Sequence, residues 1–248
     1  SACVRILRRD GQSIGLASGF SIYDTADCER LVKLIGADLN IDLKRYTPRA
    51  ILSRISDYKN SLIGWQEQLK RYAPDYRPGQ RGYQIGNFGD IEVLYSVIYA
   101  EYQHRLAMAN AVDFDDLIGR TVELLRTQPQ VADYYRHKFR YILVDEYQDT
   151  NAVQDAIFSA VSDGGKRLFM VGDVKQSIYS FRLANPYIFL SKYQAFADSD
   201  AAADGAPRRV VLSRNFRSRG AVLDTTNYIF RSVMSREVGD LDYDAREM

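Results

Sequence analysis

Tyr141-Ile142-Leu143-Val144-Asp145-Glu146-Tyr147-Gln148-Asp149-Thr150 sets four strand-forming residues directly before two carboxylates. The run from Tyr141 to Val144 does not alternate, which reads as a strand buried on both faces. In open α/β sheets the chemistry sits at the carboxyl ends of such strands. Asp145 and Glu146 would then stand at that rim. One acid can anchor a hard cation through a water while its neighbour orients or deprotonates an attacking water. The plainer reading is a strand followed by an acidic helix cap, with Asp149 or Thr150 capping a helix from Asn151 to Val161. Taken alone, the segment supports both readings equally.

Two more apolar runs end in polar clusters. Leu168 to Val171 leads into Gly172-Asp173-Val174-Lys175-Gln176, and Val210 to Leu212 leads into Ser213-Arg214-Asn215-Phe216-Arg217. Between the first two runs lie Val153, Ala156, Ile157, Ala160 and Val161 at amphipathic spacing, the crossover helix that parallel neighbours require. Strand, helix, strand, helix, strand predicts an α/β layer in which three strands deliver polar groups to one rim.

Asp145-Glu146-Tyr147-Gln148-Asp149-Thr150, then Val171 to Arg182 (VGDVKQSIYSFR), then Leu212 to Ser218 (LSRNFRS) resemble three consecutive motifs of the UvrD/Rep family of superfamily 1 DNA helicases, in matching order and separation. Upstream, Asp113-Phe114-Asp115-Asp116-Leu117 resembles the family's DFDDL element, and Cys3-Val4-Arg5-Ile6-Leu7-Arg8 resembles the helix after its TFH motif. The resemblance covers nearly the whole chain, with residues 30–90 matched only loosely. It implies an α/β fold, a partial RecA-like parallel sheet with helices plus a mainly helical inserted subdomain. It also implies ATP and Mg²⁺ as cofactors, single-stranded and duplex DNA as partners, movement 3′ to 5′, a place in repair or recombination, and a cytoplasmic location.

Carried over one position at a time, the resemblance implies that Asp145 coordinates Mg²⁺, Glu146 activates the hydrolytic water and Gln176 contacts the γ-phosphate. Arg217 would stabilise charge in phosphoryl transfer, Phe216 would stack on adenine, and Arg182 would support the nucleotide site. Tyr179 and Phe181 would stack on bases of single-stranded DNA, an interaction worth about 1–3 kcal/mol per base and nearly independent of base identity. Taken singly, each residue has a plainer reading. Tyr179 and Phe181 could be core aromatics, and Arg214, Arg217 and Arg219 a solvated basic edge.

The chain departs from the family pattern GDxxQSIYxWRGA at Phe181, which replaces Trp, and at Leu183, which replaces Gly. The run Lys175 to Pro186 and the ending Met234 to Tyr243 resemble the AddA and RecB-like helicase-nuclease branch, which would bring a helicase-nuclease partner subunit. The stretch Cys3 to Asp24 is closer to UvrD and PcrA. A third reading is a non-hydrolysing DNA-binding or assembly module with a relic motor site.

The sequence holds no GxxGxGKT-type loop, the amide cradle and lysine that hold nucleotide phosphates. The expectation is therefore a piece of a larger helicase that alone hydrolyses no ATP at a useful rate. Loss of the strand leading into that loop should leave a gap between the strands ending at Asp173 and Ser213, closed by pairing those two directly or by dimerisation through exposed edges.

Residues 1–18 read as a helix with Val4, Ile6, Leu7 and Ile14 inward, part of a first RecA-like domain. Residues 19–110 read as the helical insertion, 111–230 as the rest of that domain, and 231–248 as the start of a second half. Ile91, Leu94, Ile98, Tyr102 and Leu106 recur at helical spacing, while the prolines and glycines from Pro74 to Gly89 mark a flexible loop. Lys59, Lys70, Arg71, Arg77 and Arg81, interleaved with Trp65, Tyr72, Tyr76 and Tyr83, suit a phosphate-contacting surface, although a solvated helix face explains most such charges. Ala197 to Pro207 reads as a surface loop.

Composition sets the outer limits. With 46% hydrophobic and 26% charged residues, the 248-residue chain can build one or two ordinary cores and does not read as disordered. Cys3 and Cys28 lack CxxC spacing and His104 and His137 stand alone, which argues against a disulfide framework or zinc site. No apolar run approaches membrane-spanning length. The net charge of +1 does not advertise nucleic-acid binding, so positive charge would have to be concentrated in one groove.

Overall fold

The computed structural model describes residues 2–80, 82–83, 91–177, 184–212, 214–235, 237 and 243. In chain order these form α1 (Ala2–Asp10), β1 (Ser21–Ile22), α2 (Thr25–Asp38), α3 (Pro48–Asn60), α4 (Trp65–Tyr72), α5 (Ile91–Met108), β2 (Ala111–Val112), α6 (Phe114–Thr127), α7 (Pro129–Lys138), β3 (Ile142–Val144), α8 (Ala152–Val161), β4 (Leu168–Met170), α9 (Pro186–Ala195), β5 (Ala197–Asp198), β6 (Arg208–Arg209) and α10 (Gly220–Val233). The architecture is mixed, with many helices and short parallel strands. The helix expected over 1–18 stops at Asp10 and continues as a 3-10 turn over Gly11–Ile14, closed by Gly15 at φ 78. Glycine meets that left-handed geometry without steric cost.

Two apolar cores organise the described residues. The first gathers Val32 and Ile35 of α2, Ile51 and Ile55 of α3, Leu69 of α4 and Leu94, Ile98, Tyr102 and Leu106 of α5. The helical spacing read on α5 thus points inward, except that Ile91 is exposed at the first turn. The second core joins Ile6 and Leu7 of α1, Leu117, Leu124 and Leu125 of α6, Val131 and Tyr135 of α7 and Val161 of α8. The chain passes between the cores at β1 and β2, which pair in parallel as Ser21↔Ala111 and Ile22↔Val112.

Local chemistry explains where these helices begin. Thr47 accepts the Ala50 N–H and Pro48 opens α3, where a missing N–H costs nothing. Asp24 with Asp27 and Asp113 with Asp116 form reciprocal capping boxes on α2 and α6. Asn151, with Gln154, forms a third on α8. The cap expected at Asp149 or Thr150 is therefore one residue further on, because only Asn151 has a glutamine three positions later to close the box.

The basic stretch in the first core departs from expectation. Lys59 is buried rather than phosphate-facing, its Nζ 2.6 Å from Asp113 Oδ2 and 2.8 Å from Asp116 Oδ1. Tyr102 donates to the same Asp113 oxygen at 2.9 Å. Tyr76 is also buried, its hydroxyl donating to Glu101 Oε2 at 2.7 Å while the Gly79 N–H donates to that oxygen at 2.8 Å. Glu101 thus pins the described part of the loop expected to be flexible; residues 81 and 84–90 lie outside the described residues.

β3 and β4 pair in parallel, Ile142↔Leu168, Leu143↔Phe169 and Val144↔Met170. The strand expected to be buried on both faces is covered on one only. Ile142 packs on the second core, whereas its neighbour Leu143 is 73% exposed and Phe169 opposite it 59%. The third expected strand, Val210 to Leu212, does not form. β6 pairs instead with β5, Ala197↔Arg208 and Asp198↔Arg209, and Val210, Val211 and Leu212 are exposed. Direct pairing of that segment with β4 is accordingly not the arrangement found.

Candidate active site

Past the last residue pair of β3 and β4 the two chains stay laced together. The Val171 N–H donates to the Val144 carbonyl at 2.8 Å, and the Tyr147 N–H to the Val171 carbonyl at 2.9 Å. This carries residues 145–148 alongside residues 171–173. Tyr147 is fully buried, its hydroxyl donating to Asp155 on α8 and its ring packing near Phe158 and Phe189. Burial, followed by that hydrogen bond to a carboxylate, pushes the phenol above its ordinary value. The tyrosine anchors the turn from below.

Glu146 crosses the turn in the left-handed region, φ 53 and ψ 43. A residue with a Cβ holds that conformation at a cost of roughly 1–3 kcal/mol, so its surroundings must fix it. They do so through Asp145 and Gln148. Asp145 Oδ1 accepts the Glu146 N–H at 3.0 Å, and Gln148 Nε2 donates to Glu146 Oε2 at 2.6 Å. The other end of the same buried amide, Gln148 Oε1, accepts the Asp173 N–H at 3.0 Å. Asp173 then caps a 3-10 turn over Val174–Gln176, accepting the Lys175 N–H at 3.1 Å and the Gln176 side-chain amide at 3.0 Å, with the Lys175 ammonium at 3.1 Å.

Glu146, Gln148, Asp173 and Gln176 therefore form one hydrogen-bonded series along the rim. Asp145, Glu146 and Gln176 are exposed at its edge. Phe216 and Arg217 are not members of the series. They occupy a turn held by Asn215, whose Oδ1 accepts the N–H groups of Arg217 and Ser218 at 2.9 Å each, and Phe216 is 88% exposed. Tyr179, Phe181 and Arg182 lie outside the described residues.

Gln148 and Gly172 are the two residues whose weight at this rim the sequence did not signal. A Cβ at Gly172 would sit 2.6 Å from Gln148 Oε1 and 3.3 Å from both the Gln148 nitrogen and Phe189 Cζ. The glutamine cannot swing aside, because hydrogen bonds hold both ends of its amide. Gly172→Ala should accordingly break the Gln148–Asp173 link and destabilise the fold by about 1–3 kcal/mol. Denaturant unfolding checks this, and an unchanged midpoint would show that the turn yields freely.

Among the described residues no group of three or more His, Cys, Asp or Glu side chains is gathered to hold a metal by themselves. Asp145, exposed directly after β3, nevertheless fits Mg²⁺, a hard ion that can be bound through a single carboxylate with water and phosphate oxygens completing its shell.

The model of the UvrD/REP helicase N-terminal domain matches residues 1–197. The chain belongs to the UvrD/Rep helicase family. It is 40% identical over 247 residues to the ATP-dependent DNA helicase UvrD1 of Mycobacterium bovis, an alignment covering 96% of this chain and 29% of that protein. It is 38% identical over 226 residues to the ATP-dependent DNA helicase PcrA of Leuconostoc citreum, covering 91% and 27%. To PcrA of Bacillus subtilis it is 35% identical over 241 residues, covering 97% and 30%. The chain thus spans under a third of the length of these curated relatives. Among the described residues of this UvrD/Rep chain, no helix is long and apolar enough to cross a membrane.

Proposed function

We propose that this chain forms part of an ATP-dependent DNA helicase that uses nucleotide hydrolysis to move 3′ to 5′ on single-stranded DNA and separate duplexes in repair or recombination. The observation that carries this reading is the hydrogen-bonded series from Glu146 through Gln148 and Asp173 to Gln176, at the carboxyl ends of adjacent parallel strands. It supports a single site in which acid and amide act on one ligand.

Asp145 would hold Mg²⁺–ATP at the rim, and the bound pair supplies the phosphoryl group and the cation that offsets its charge. Glu146 presents a carboxylate that can accept a proton from water, held by Gln148 in the orientation its left-handed backbone dictates. Gln176, tethered to Asp173, contacts the terminal phosphate. Arg217 and Phe216, exposed on their turn, contribute the phosphate-stabilising guanidinium and the adenine-stacking ring. Tyr179, Phe181 and Arg182 follow Gln176 closely in the chain and carry the DNA contacts and nucleotide support that the family resemblance implies. Residues 1–18 and 111–230 are read as the first RecA-like domain and 19–110 as its helical insertion, a division supported by the two separate cores.

The test uses the whole protein that contains this chain, with duplexes carrying a 3′ or a 5′ single-stranded overhang. Strand separation that requires ATP and Mg²⁺ and favours the 3′ overhang is expected. Separation indifferent to nucleotide, or none on either substrate, would overturn the reading.

A further inference from the structure

Asn60, the last residue of α3, joins the two cores at a point the motifs do not include. Its side-chain Nδ2 donates to the Ser56 carbonyl at 2.9 Å and to Asp115 Oδ1 at 3.0 Å, while its Oδ1 accepts from Asn151 Nδ2 at 2.8 Å. Two acceptors on one side and a donor on the other fix which way the amide faces, so aspartate or leucine cannot reproduce it. Ser56 and Asn60 belong to α3 in the first core, Asp115 to the first turn of α6 and Asn151 to the start of α8. One amide thus touches three helices.

The position of Asn151 gives this contact its meaning. Its Oδ1 caps α8 by accepting the Gln154 N–H at 2.9 Å, and the residue is 8% exposed. It directly follows Thr150, whose carbonyl accepts the Asn185 N–H at 3.0 Å at the start of α9. The segment 145–150 therefore runs from the end of β3 to a point held by Asn60. Within it sits Glu146 in its left-handed conformation, held locally by Asp145 and Gln148 on a segment whose far end this contact bounds. Lys59, one residue before Asn60, is locked between Asp113 and Asp116. Lys59 and Asn60 thus tie the end of α3 to α6 and to the start of α8 at one junction.

We propose that Asn60 is a positioning residue through which the helical part of the chain sets the placement of Glu146, so that DNA engaged by the helical part changes the rate of hydrolysis. The proposal rests on the helicase reading above. Coupling between two sites of this kind is commonly worth a factor of about 5 or more.

The experiment measures ATP turnover by the whole protein with saturating single-stranded DNA. Two variants are compared with the wild type. Asn60→Leu keeps the branching at Cγ and loses the hydrogen bonds; Asn151→Asp keeps the cap acceptor and removes the donor to Asn60. Both should lower kcat about 5-fold or more while the KM for ATP stays within about twofold, since the residue orients the water-activating carboxylate without touching nucleotide. A merely structural role would instead reduce the active fraction, visible as a lowered melting temperature in parallel. The proposal is overturned by wild-type kcat in either variant, or by a loss of kcat that tracks loss of folded protein. Wild-type protein without DNA-stimulated turnover would overturn the helicase reading and this proposal with it, whereas stimulation retained by both variants overturns this proposal alone.

Discussion

Lys59→Met should cost the folded chain about 3–5 kcal/mol, the penalty for leaving buried charge without its partner. The lysine side chain is 5% exposed, between Asp113 at 11% and Asp116 at 9%. Methionine fills its volume, so the loss is electrostatic rather than a cavity. Burial alone would raise the Asp113 carboxyl, yet the adjacent ammonium and hydrogen bonds from Lys59, the Asp116 N–H and Tyr102 hold it below the ordinary range. Asp116 goes the other way: burial and the like charge of Asp113 outweigh the pull of Lys59 and raise it. Lys59 is raised despite its burial, through attraction to Asp116 and Asp113. Asp113 therefore contributes stability above the ordinary Asp value of about 3.9, lost as pH falls through its lower folded value. The Lys59 contribution is fully present below about 10.4 and is lost as pH rises through the higher folded value. Asp116, holding its proton more tightly folded than unfolded, favours the fold in acid and partly offsets the Asp113 loss. The gap between wild type and Lys59→Met should thus be widest near neutrality and narrow in strong alkali. Denaturant unfolding at pH 7 and pH 12 checks both parts. A neutral-pH difference below about 1 kcal/mol, the value typical of an exposed pair, would contradict the burial of this triad.

Glu146→Gln should lower DNA-stimulated ATP turnover by the whole protein about 10²- to 10⁴-fold, the range a positioned general base contributes. The substitution is chosen because it changes little else. A glutamine oxygen can still accept from Gln148 Nε2, which now meets Glu146 Oε2 at 2.6 Å, so the rim series survives. Folding stability should shift by less than about 1 kcal/mol, as for an exposed polar position. Nucleotide affinity should be retained, since Asp145 remains to hold the cation. Turnover within a few-fold of wild type would show that another group activates the water, and would revive the relic-motor alternative.

What could be read from the chain, and what could not, divides along sequence distance. The acid pair after β3, the crossover helix with Val153 and Val161 inward, and a polar turn carrying Gln176 after β4 all follow from short motifs and periodicity. The cap of α8 also carries a local signal, Asn151-x-x-Gln154, which Asp149 and Thr150 lack. Lys59 and Asn60 carried none. In a run rich in lysine, arginine and tyrosine a lysine reads as solvated, and its burial depends on carboxylates 54 and 57 residues away. Asn60 meets Asn151 across 91 residues. Apolar composition likewise told that Leu143, Phe169 and Val210 to Leu212 prefer burial, but periodicity does not say which face finds a neighbour. Leu143 and Phe169 share the face of the two-stranded sheet turned from the second core, and Val210 to Leu212 found no ladder to join.

The most direct test of a shared site at the ends of β3 and β4 is a double-substitution cycle in the whole protein, with Glu146→Gln and Gln176→Ala measured singly and together for DNA-stimulated kcat. Groups acting on one terminal phosphate and its attacking water fail as a unit, so the double variant should be no more than a few-fold slower than the slower single one. Losses that multiply in full would mean that the two residues serve separate sites, and the account of one rim built from two strands would be wrong.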